Sequence, residues 1–249
     1  MIDAHAPVEW FEEIDSTLLE ARRRAERKEY GPVWLLARRQ SAGRGRRGRV
    51  WVSIEGNLFA TYLFETSRPA AEAAQLGFAA GLAIAETFEA FGARSPARLK
   101  WPNDVMLGAS KAAGILLESG AASPGKLWVA LAFGVNIAAA PGAIDQPTTC
   151  LWAALPEGAL APSPAAFFGG LRPRLEGWCM RLAQEGFEPL RAAWLARAYG
   201  IGQPARVLQG EAPLEGTLAG LTARGELELD TPSGRCVVAA GDVFFSSAA

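Results

Sequence analysis

The sequence has very little histidine, cysteine or lysine, and each scarcity narrows the possible chemistry. His5 is the single histidine among 249 residues, which argues against a histidine-based catalytic triad and against a zinc site. The three cysteines (Cys150, Cys179 and Cys236) form no C-x-x-C pair, and their odd number favours reduced thiols in the cytoplasm. Lysine occurs at only four positions, 28, 100, 111 and 126.

Long apolar runs and an excess of charge of one sign are also absent. The opening stretch, MIDAHAPVEWFEEID, lacks the basic region and apolar core of a signal peptide, and no later run has the length of a membrane span. The formal net charge is -1, whereas proteins that bind nucleic acid usually carry a basic excess. We therefore expect a cytoplasmic globular protein without membrane or nucleic-acid partners.

The spacing of apolar and turn residues predicts alternating helices and strands, followed by short strands only. From residue 201 onward, strand-like pieces alternate with glycine and proline turns, which is typical of a small β-barrel. The predicted elements before it are a helix with a capping box at Thr17 and Glu20, strands at 33–37, 50–53 and 57–64, a helix at 70–91, a hairpin at 99–118, a strand at 127–137, a short helix within 138–164, and helices starting at Ser163 and near Pro189.

The first of four segments suited to chemistry is a loop of glycine and arginine, QSAGRGRRGRVW, from Gln40 to Trp51. Glycine lets the backbone approach a ligand closely, and arginine binds phosphate or carboxylate oxygens with paired hydrogen bonds. Gly43, Gly45 and Gly48 also match the dinucleotide motif G-x-G-x-x-G, but that motif requires a following helix, and strands are predicted here. A nucleic-acid patch is a second alternative, which the neutral overall charge disfavours.

Three further segments each have an ordinary structural explanation when taken alone. KWPNDV at 100–105 places a cation, an aromatic ring, an amide and a carboxylate at one turn, although a plain hairpin corner has similar residues. KAAGILLE at 111–118 puts a lysine at the head of an apolar strand, where lysines are often merely solvated. Asn136 interrupts an apolar strand, so its amide is satisfied either by a base or ribose or by a neighbouring loop.

In this order the four segments resemble the biotin protein ligases. The matching elements are GRGRRGR-x-W, KWPND, K-x-x-GIL-x-E and G-x-N, and the resemblance extends from about Asp15 to Val243. It implies an α+β fold, with a mixed-sheet catalytic domain of the class II aminoacyl-tRNA-synthetase-like, biotin/lipoate ligase type over residues 1–199 and an SH3-like β-barrel over 200–249. Because the pattern begins by Asp15, we expect the ligase-only type, without an N-terminal DNA-binding domain.

The resemblance also implies an activity and its partners. Such enzymes use ATP and Mg²⁺ to convert biotin into biotinyl-5'-AMP and then transfer the biotinyl group to a lysine of a biotin carboxyl carrier domain. The carrier of acetyl-CoA carboxylase is the expected partner, and the ligase is expected to be a monomer or a weak homodimer. Fixed cations would stabilise charge at the α-phosphate, and a loop that orders over the acyl-adenylate would retain it.

The residues that the resemblance assigns come from all four segments and from the first helix. The catalytic residues are Lys111 and Arg46. The biotin-binding residues are Ser16, Thr17, Leu18, Gln40, Arg44, Gly45, Arg46, Lys111 and Gly114. The ATP-binding residues are Arg44, Arg47, Arg49, Trp51, Lys100, Asn103, Lys111 and Asn136. Asp104 is a candidate ligand of the metal.

Two departures from the family leave room for a different activity. Leu18 stands where the family usually has asparagine, and this loss of a polar group supports a lipoate or octanoate ligase or transferase of the same fold. The tail from Phe244 to Ser247 lacks a basic residue that some members place near the nucleotide. A nucleic-acid-binding protein and a homologue that binds biotin without catalysis also stay open as hypotheses, although Lys111 argues against the latter.

Overall fold

The computed structural model describes residues 2–3, 5–142, 146–209 and 212–245. A seven-stranded mixed sheet dominates this part of the chain, with strands in the order β1-β2-β3-β7-β6-β5-β4. β1 and β2 pair in parallel, and the other described neighbours in this sheet are antiparallel. The strands are β1 (Val8–Ile14), β2 (Val33–Gln40), β3 (Leu58–Thr66), β4 (Ala97–Lys100), β5 (Asp104–Leu107), β6 (Ser110–Ala121) and β7 (Leu127–Val135).

Helices cover both faces of this sheet. On one face α3 and α5 pack together, and α3 also contacts β4 and β6. On the other face α1 lies against β2, β3 and β7. The helices are α1 (Thr17–Glu26), α2 (Ala70–Ala74), α3 (Leu76–Ala90), α4 (Leu151–Ala154), α5 (Pro164–Glu185) and α6 (Glu188–Ala196). No helix in the described ranges is both long and apolar enough to cross a membrane.

The main core lies between the sheet and the α3–α5 layer. The fully buried Trp34 ring lies 4.6 Å from Tyr62 and 5.0 Å from Phe168, which joins two strands to α5. Burying one large apolar side chain contributes about 1.5–3 kcal/mol, so this aromatic cluster is a major part of the stability. Alanine and glycine on the buried face of α3 allow the helix to lie close to β4 and β6, and a side chain at Gly81 would meet Leu99 and Ile115.

A second, antiparallel sheet follows α6. Its strands are β8 (Pro204–Gln209), β9 (Ala212–Leu221), β10 (Leu227–Thr231), β11 (Gly234–Val238) and β12 (Asp242–Phe245), in the order β11-β10-β9-β8-β12. The prediction of short strands after residue 201 is therefore confirmed. β12 follows the Ala-Gly turn at 240–241, and its first residue is Asp242.

Several helix predictions are confirmed, and two are corrected. Ser163 caps α5 by accepting from the Ala166 N–H at 3.1 Å, as predicted. The first helix is capped by Ser16, which accepts from the Leu19 N–H, so the predicted Thr17 capping box is wrong. The predicted helix at 70–91 is two helices, because the chain turns at residue 75 between α2 and α3.

Two strand predictions also differ from the structure. Residues 50–53 are not a strand; only Val50 forms an isolated bridge, with Arg44. β1 was missed because VEWFEEI alternates exposed and half-buried residues along a sheet edge and resembles a polar tail. The three cysteines are free thiols, and burial raises the pKa of Cys179 to about 12.

Candidate functional site

The four segments meet at a cavity of about 440 Å³ that opens on the sheet beside the start of α1. Of the residues predicted for the site, those that line it are Ser16, Thr17, Leu18, Gln40, Arg44, Gly45, Arg46, Arg49, Trp51, Lys100, Asn103, Asp104, Lys111, Gly114 and Asn136. Arg47 is not among the lining residues, and its half-exposed guanidinium lies 3.3 Å from Asp242. Its predicted contact with ATP stays a prediction.

A hydrogen-bonded group closes the α1 end of the cavity. The Gln40 side-chain oxygen accepts from the Thr17 N–H at 2.8 Å and from the Thr17 hydroxyl at 3.2 Å. The Thr17 hydroxyl in turn accepts from Thr61 at 2.8 Å. Because Thr17 is the first residue of α1, its N–H has no acceptor within the helix and is available to Gln40. Thr61 was missed by the sequence analysis, although a polar residue inside an apolar strand was a signal for it.

The glycine–arginine loop forms a compact turn above the cavity. Gly45 donates its N–H to the Arg49 carbonyl at 2.8 Å, and Arg49 donates its N–H to the Arg46 carbonyl at 3.1 Å. Between them Arg47 and Gly48 have φ of 54° and 76°, in the left-handed region that glycine adopts readily. The turn gathers three arginine side chains on one side of the loop.

These arginines share one carboxylate of the C-terminal sheet. Asp242 lies 3.2 Å from Arg46, 3.3 Å from Arg47 and 3.1 Å from Arg49, and we call these four residues the arginine cluster. Arg46 also donates to the Gly241 carbonyl at 3.2 Å. Burial lowers the pKa of Arg46, which Asp242 opposes by its charge. Sequence analysis did not assign Asp242, because the contact joins positions 195 residues apart.

A second group of charges lies on the strands at the floor of the cavity. The Lys111 Nζ is 2.6 Å from Asp104 Oδ1, and Asp104 Oδ2 accepts from the Gln146 Nε2 at 2.8 Å. Gln146 Oε1 accepts from the Lys100 Nζ at 2.9 Å. We call Lys100, Asp104, Lys111 and Gln146 the lysine cluster. Burial lowers the pKa of Lys100, with the charge of Asp104 opposing the shift. Gln146 was not predicted.

Trp51 lies against a pair of glycines in adjacent strands. Gly114 of β6 and Gly134 of β7 are direct partners in the sheet, and a methyl group on either would overlap the indole. The Lys111 Nζ lies 5.4 Å from the centre of the Trp51 ring, and it would also be close to a methyl group added at Gly114. The glycines in K-x-x-GIL and G-x-N therefore create the flat surface on which the indole rests.

The two predicted asparagines already have protein partners. Asn103 donates its side-chain amide to the Ile115 carbonyl at 2.6 Å. Asn136, which is 1% exposed, donates to the Thr149 carbonyl at 3.0 Å and accepts from Asn57 at 3.4 Å. The structure thus supports the loop-bonding explanation of Asn136, and the nucleotide contacts of both residues stay predictions.

The donor atoms in the cavity fit a metal ion that has few ligands from the protein and is coordinated mainly by a bound substrate. No cluster of three or more histidine, cysteine, aspartate or glutamate side chains suited to a metal occurs within residues 2–3, 5–142, 146–209 and 212–245. Asp104 Oδ1 is buried and makes no hydrogen bond with the described residues, since the angles of its ion pair with Lys111 are not those of a hydrogen bond. One carboxylate fits Mg²⁺, which commonly combines one or two carboxylates with substrate phosphates.

Comparison with known proteins agrees with this geometry. Residues 10–136, which are half of the chain, match the Biotin/lipoate A/B protein ligase family, and residues 200–246 match the Biotin protein ligase C terminal domain. A biotin--[acetyl-CoA-carboxylase] ligase of Paracoccus denitrificans is 43% identical over 218 residues, which are 86% of this chain and 91% of the relative. The chain belongs to the biotin/lipoate A/B protein ligase family. The resemblance stated from the four segments is therefore confirmed.

Solved structures of biotin protein ligases have the same fold. The enzyme of Aquifex aeolicus in complex with biotin and ATP aligns with a TM-score of 0.78 at 25% identity, covering 96% of this chain and 99% of that chain. The enzyme of Leishmania major in complex with biotinyl-5-AMP aligns with a TM-score of 0.66 at 23% identity, covering 94% and 99%. The predicted α+β class with a C-terminal antiparallel domain is confirmed, whereas the domain boundary at 199–200 stays a prediction.

Proposed function

We propose that this ligase-family chain joins biotin to a specific lysine of a biotin carboxyl carrier domain, with ATP as the energy source. In the first step the biotin carboxylate attacks the α-phosphorus of ATP and forms biotinyl-5'-AMP, with pyrophosphate as the leaving group. In the second step the carrier lysine attacks the acyl carbon, and AMP leaves. The observation that carries the proposal is the convergence of Arg46 and Lys111 on one cavity that also has an amide-bearing end.

The α1 end of the cavity is suited to the biotin ring. Thr17 and Gln40 offer hydrogen-bonding groups that are held by each other and by the buried Thr61. Leu18 is almost fully buried and lines the cavity as an apolar contact. Apolar residues of the sheet continue the wall toward Lys111, where an alkyl chain with a terminal carboxylate would end; they include Ile115, Leu116, Ala132 and Phe133.

The other end of the cavity is suited to phosphate. The cavity lining has five basic side chains (Arg44, Arg46, Arg49, Lys100 and Lys111) and two carboxylates, Asp104 and Asp242. The resulting positive excess favours an anionic ligand. Fixed cations in a water-poor site stabilise oxygen charge that develops at the α-phosphate, so Lys111 and Arg46 are placed to lower the barrier of the first step. The nucleophiles are the biotin carboxylate and the carrier lysine.

Mg²⁺ completes the proposed site. When bound, it would neutralise charge on the polyphosphate, and Asp104 is the residue of this chain that would hold it. Its removal with a chelator is expected to stop the first step.

The partner is proposed to be the carrier domain of a biotin-dependent carboxylase, by likeness to the acetyl-CoA-carboxylase ligase of Paracoccus denitrificans. A cytoplasmic location and a monomer or weak homodimer also stay proposals; the free cysteines support the former. The nucleic-acid alternative is disfavoured because Asp242 binds the arginines that it would require.

One incubation tests the proposed function directly. The protein is mixed with ATP, Mg²⁺, biotin and a biotin carboxyl carrier domain, and the carrier is weighed by mass spectrometry. We expect a mass gain of one biotinyl group, and no gain when the carrier lysine is replaced by arginine. Lipoate replaces biotin in a parallel arm. Modification with lipoate in preference to biotin would support the alternative that Leu18 suggests, and modification with neither would contradict the proposal.

A further inference from the structure

The connection after β7 contributes a side chain that no motif marks. We propose that Gln146 is a positioning residue that gives two lysines of the cavity different surroundings: Asp104 pairs with Lys111 and orients its ammonium, while Lys100 stays available to an incoming phosphate. This inference rests on the proposed function, because it assumes an ATP-derived ligand in the cavity. The residues involved are those of the lysine cluster.

The position of Gln146 follows from the backbone around it. The Lys111 N–H donates to the Pro147 carbonyl at 2.8 Å, and the Thr149 N–H donates to the Lys111 carbonyl at 2.9 Å. Thr148 thereby pairs with Lys111 as a short parallel bridge. Gln146 directly precedes this paired stretch, so the backbone of the catalytic lysine itself fixes where the glutamine side chain begins.

A side-chain amide fits this place because its two ends differ. Its Nε2 donates to the Asp104 carboxylate at 2.8 Å, and its Oε1 accepts from the Lys100 ammonium at 2.9 Å. Carboxylate oxygens only accept and an ammonium group only donates, so this orientation is the one that satisfies both neighbours. A carboxylate here would repel Asp104, and a cation would repel Lys100.

The hairpin by itself favours a different arrangement. Lys100 and Asp104 are direct partners in the β4–β5 register, and opposite charges at such positions usually pair with each other. Here Gln146 lies between their charged ends, and the other Asp104 oxygen faces Lys111 at 2.6 Å. One carboxylate therefore pairs with Lys111, and among the described residues the hydrogen-bonded partner of Lys100 is a neutral amide.

This arrangement of charges affects how ATP would bind at Lys100. Lys100 lines the cavity and is more than half buried, and among the described residues its ammonium has no carboxylate in hydrogen-bond contact. A phosphate oxygen that reaches it gains a charge interaction and displaces no ion pair with any of those residues. Gln146 thus affects the binding of ATP through Lys100, and it leaves the binding of biotin at the α1 end unchanged.

Steady-state kinetics of the first step tests the inference, with pyrophosphate exchange into ATP as the readout. Gln146→Leu removes both hydrogen bonds at similar size, and we expect the KM for ATP to rise about tenfold while the KM for biotin stays within about twofold. Gln146→Glu has the same shape but would pair with Lys100 and repel Asp104, so its KM for ATP is expected to rise by more. Exposed Gln203→Leu, in the turn that precedes β8, is the matched control.

A double-mutant cycle separates positioning from a merely structural role. In a Lys100→Met background, Gln146→Leu is expected to raise the KM for ATP by less than about twofold, because the residue acts through Lys100. An undiminished effect in that background would overturn the inference, as would an unchanged KM for ATP in Gln146→Glu, which is isosteric and keeps the test usable should Gln146→Leu fail to fold. Wild-type protein that ligates no biotin would instead overturn the proposed function.

Discussion

The arginine cluster and the lysine cluster hold their positive charges in opposite ways. The lysine cluster is built mainly on paired strands: Lys100, Asp104 and Lys111 belong to β4, β5 and β6. The arginines of the arginine cluster lie on a turn, and they contact Asp242 and the Gly241 carbonyl at the start of the last strand of the C-terminal sheet. Sheet hydrogen bonds hold the backbone of the first set, whereas the ion pairs described for the second set converge on one carboxylate.

This difference indicates that the lysines and the arginines have different roles. A phosphate in the cavity can replace the Asp242 carboxylate as the partner of Arg46 and Arg49, because both are anions that arginine binds with paired hydrogen bonds. The lysines keep their positions during that exchange. We therefore expect the lysine cluster to affect mainly the rate of adenylation, and Arg46 to affect both that rate and how long the adenylate is retained.

The largest effect is expected from Lys111→Ala in the lysine cluster. Loss of the ammonium removes charge stabilisation at the α-phosphate, so biotin-dependent exchange of pyrophosphate into ATP should fall about a hundredfold or more. Lys126→Ala is the control, since Lys126 pairs with Glu65 at an exposed site outside the cavity. Near-normal exchange in Lys111→Ala would remove this residue from its proposed catalytic role.

The next effect should come from Arg46→Gly, which tests retention of the adenylate as well as the rate at which it forms. The variant is expected to form biotinyl-5'-AMP and release it, so that lysines of a bystander protein such as serum albumin become biotinylated about tenfold more than with wild type. Arg47→Gly is the matched comparison, because Arg47 does not line the cavity and its φ of 54° suits glycine. Equal labelling by wild type and Arg46→Gly, read by streptavidin blot, would refute the retention role of the loop.

Contacts between residues close in sequence could be predicted, whereas contacts between distant residues could not. The β4–β5–β6 hairpins were predicted because turn residues and apolar runs alternate within a few positions. Asp242 was missed because nothing near it in sequence indicates arginines almost two hundred positions earlier. Gln146 was missed for a similar reason, since its partners are set by pairing of the connection with Lys111 and not by any local period.

The error at residues 50–53 has a physical cause of a different kind. Three consecutive apolar residues there resemble a short strand, but Trp51 packs on the paired glycines of β6 and β7 and Val50 is 74% exposed. The apolar character of this stretch therefore belongs to the cavity and its rim instead of a strand ladder. The missing strand β1 shows the converse, because charged residues at a sheet edge concealed a true strand.

The smallest effect is expected from Asp242→Asn, which tests the contact between the arginines of the loop and the C-terminal sheet. The asparagine keeps the shape of the side chain but removes the charge that three arginines share, and we expect a loss of about 1–2 kcal/mol in the free energy of unfolding, since most of these pairs are partly exposed to solvent. Differential scanning calorimetry would record this as a drop of a few degrees in Tm.

The activity of Asp242→Asn distinguishes a residue that only holds the loop from one that takes part in catalysis. If Asp242 only holds the loop until phosphate replaces it, Asp242→Asn leaves the rate of adenylation near that of wild type and raises release of the adenylate part of the way toward Arg46→Gly. Arg235 pairs with Asp230 on the same sheet at an exposed site, so Asp230→Asn controls for loss of a surface ion pair. A fall in adenylation as large as that of Lys111→Ala would mean that the two clusters act as one, because fixed strands alone would then not suffice to keep the catalytic cations in place.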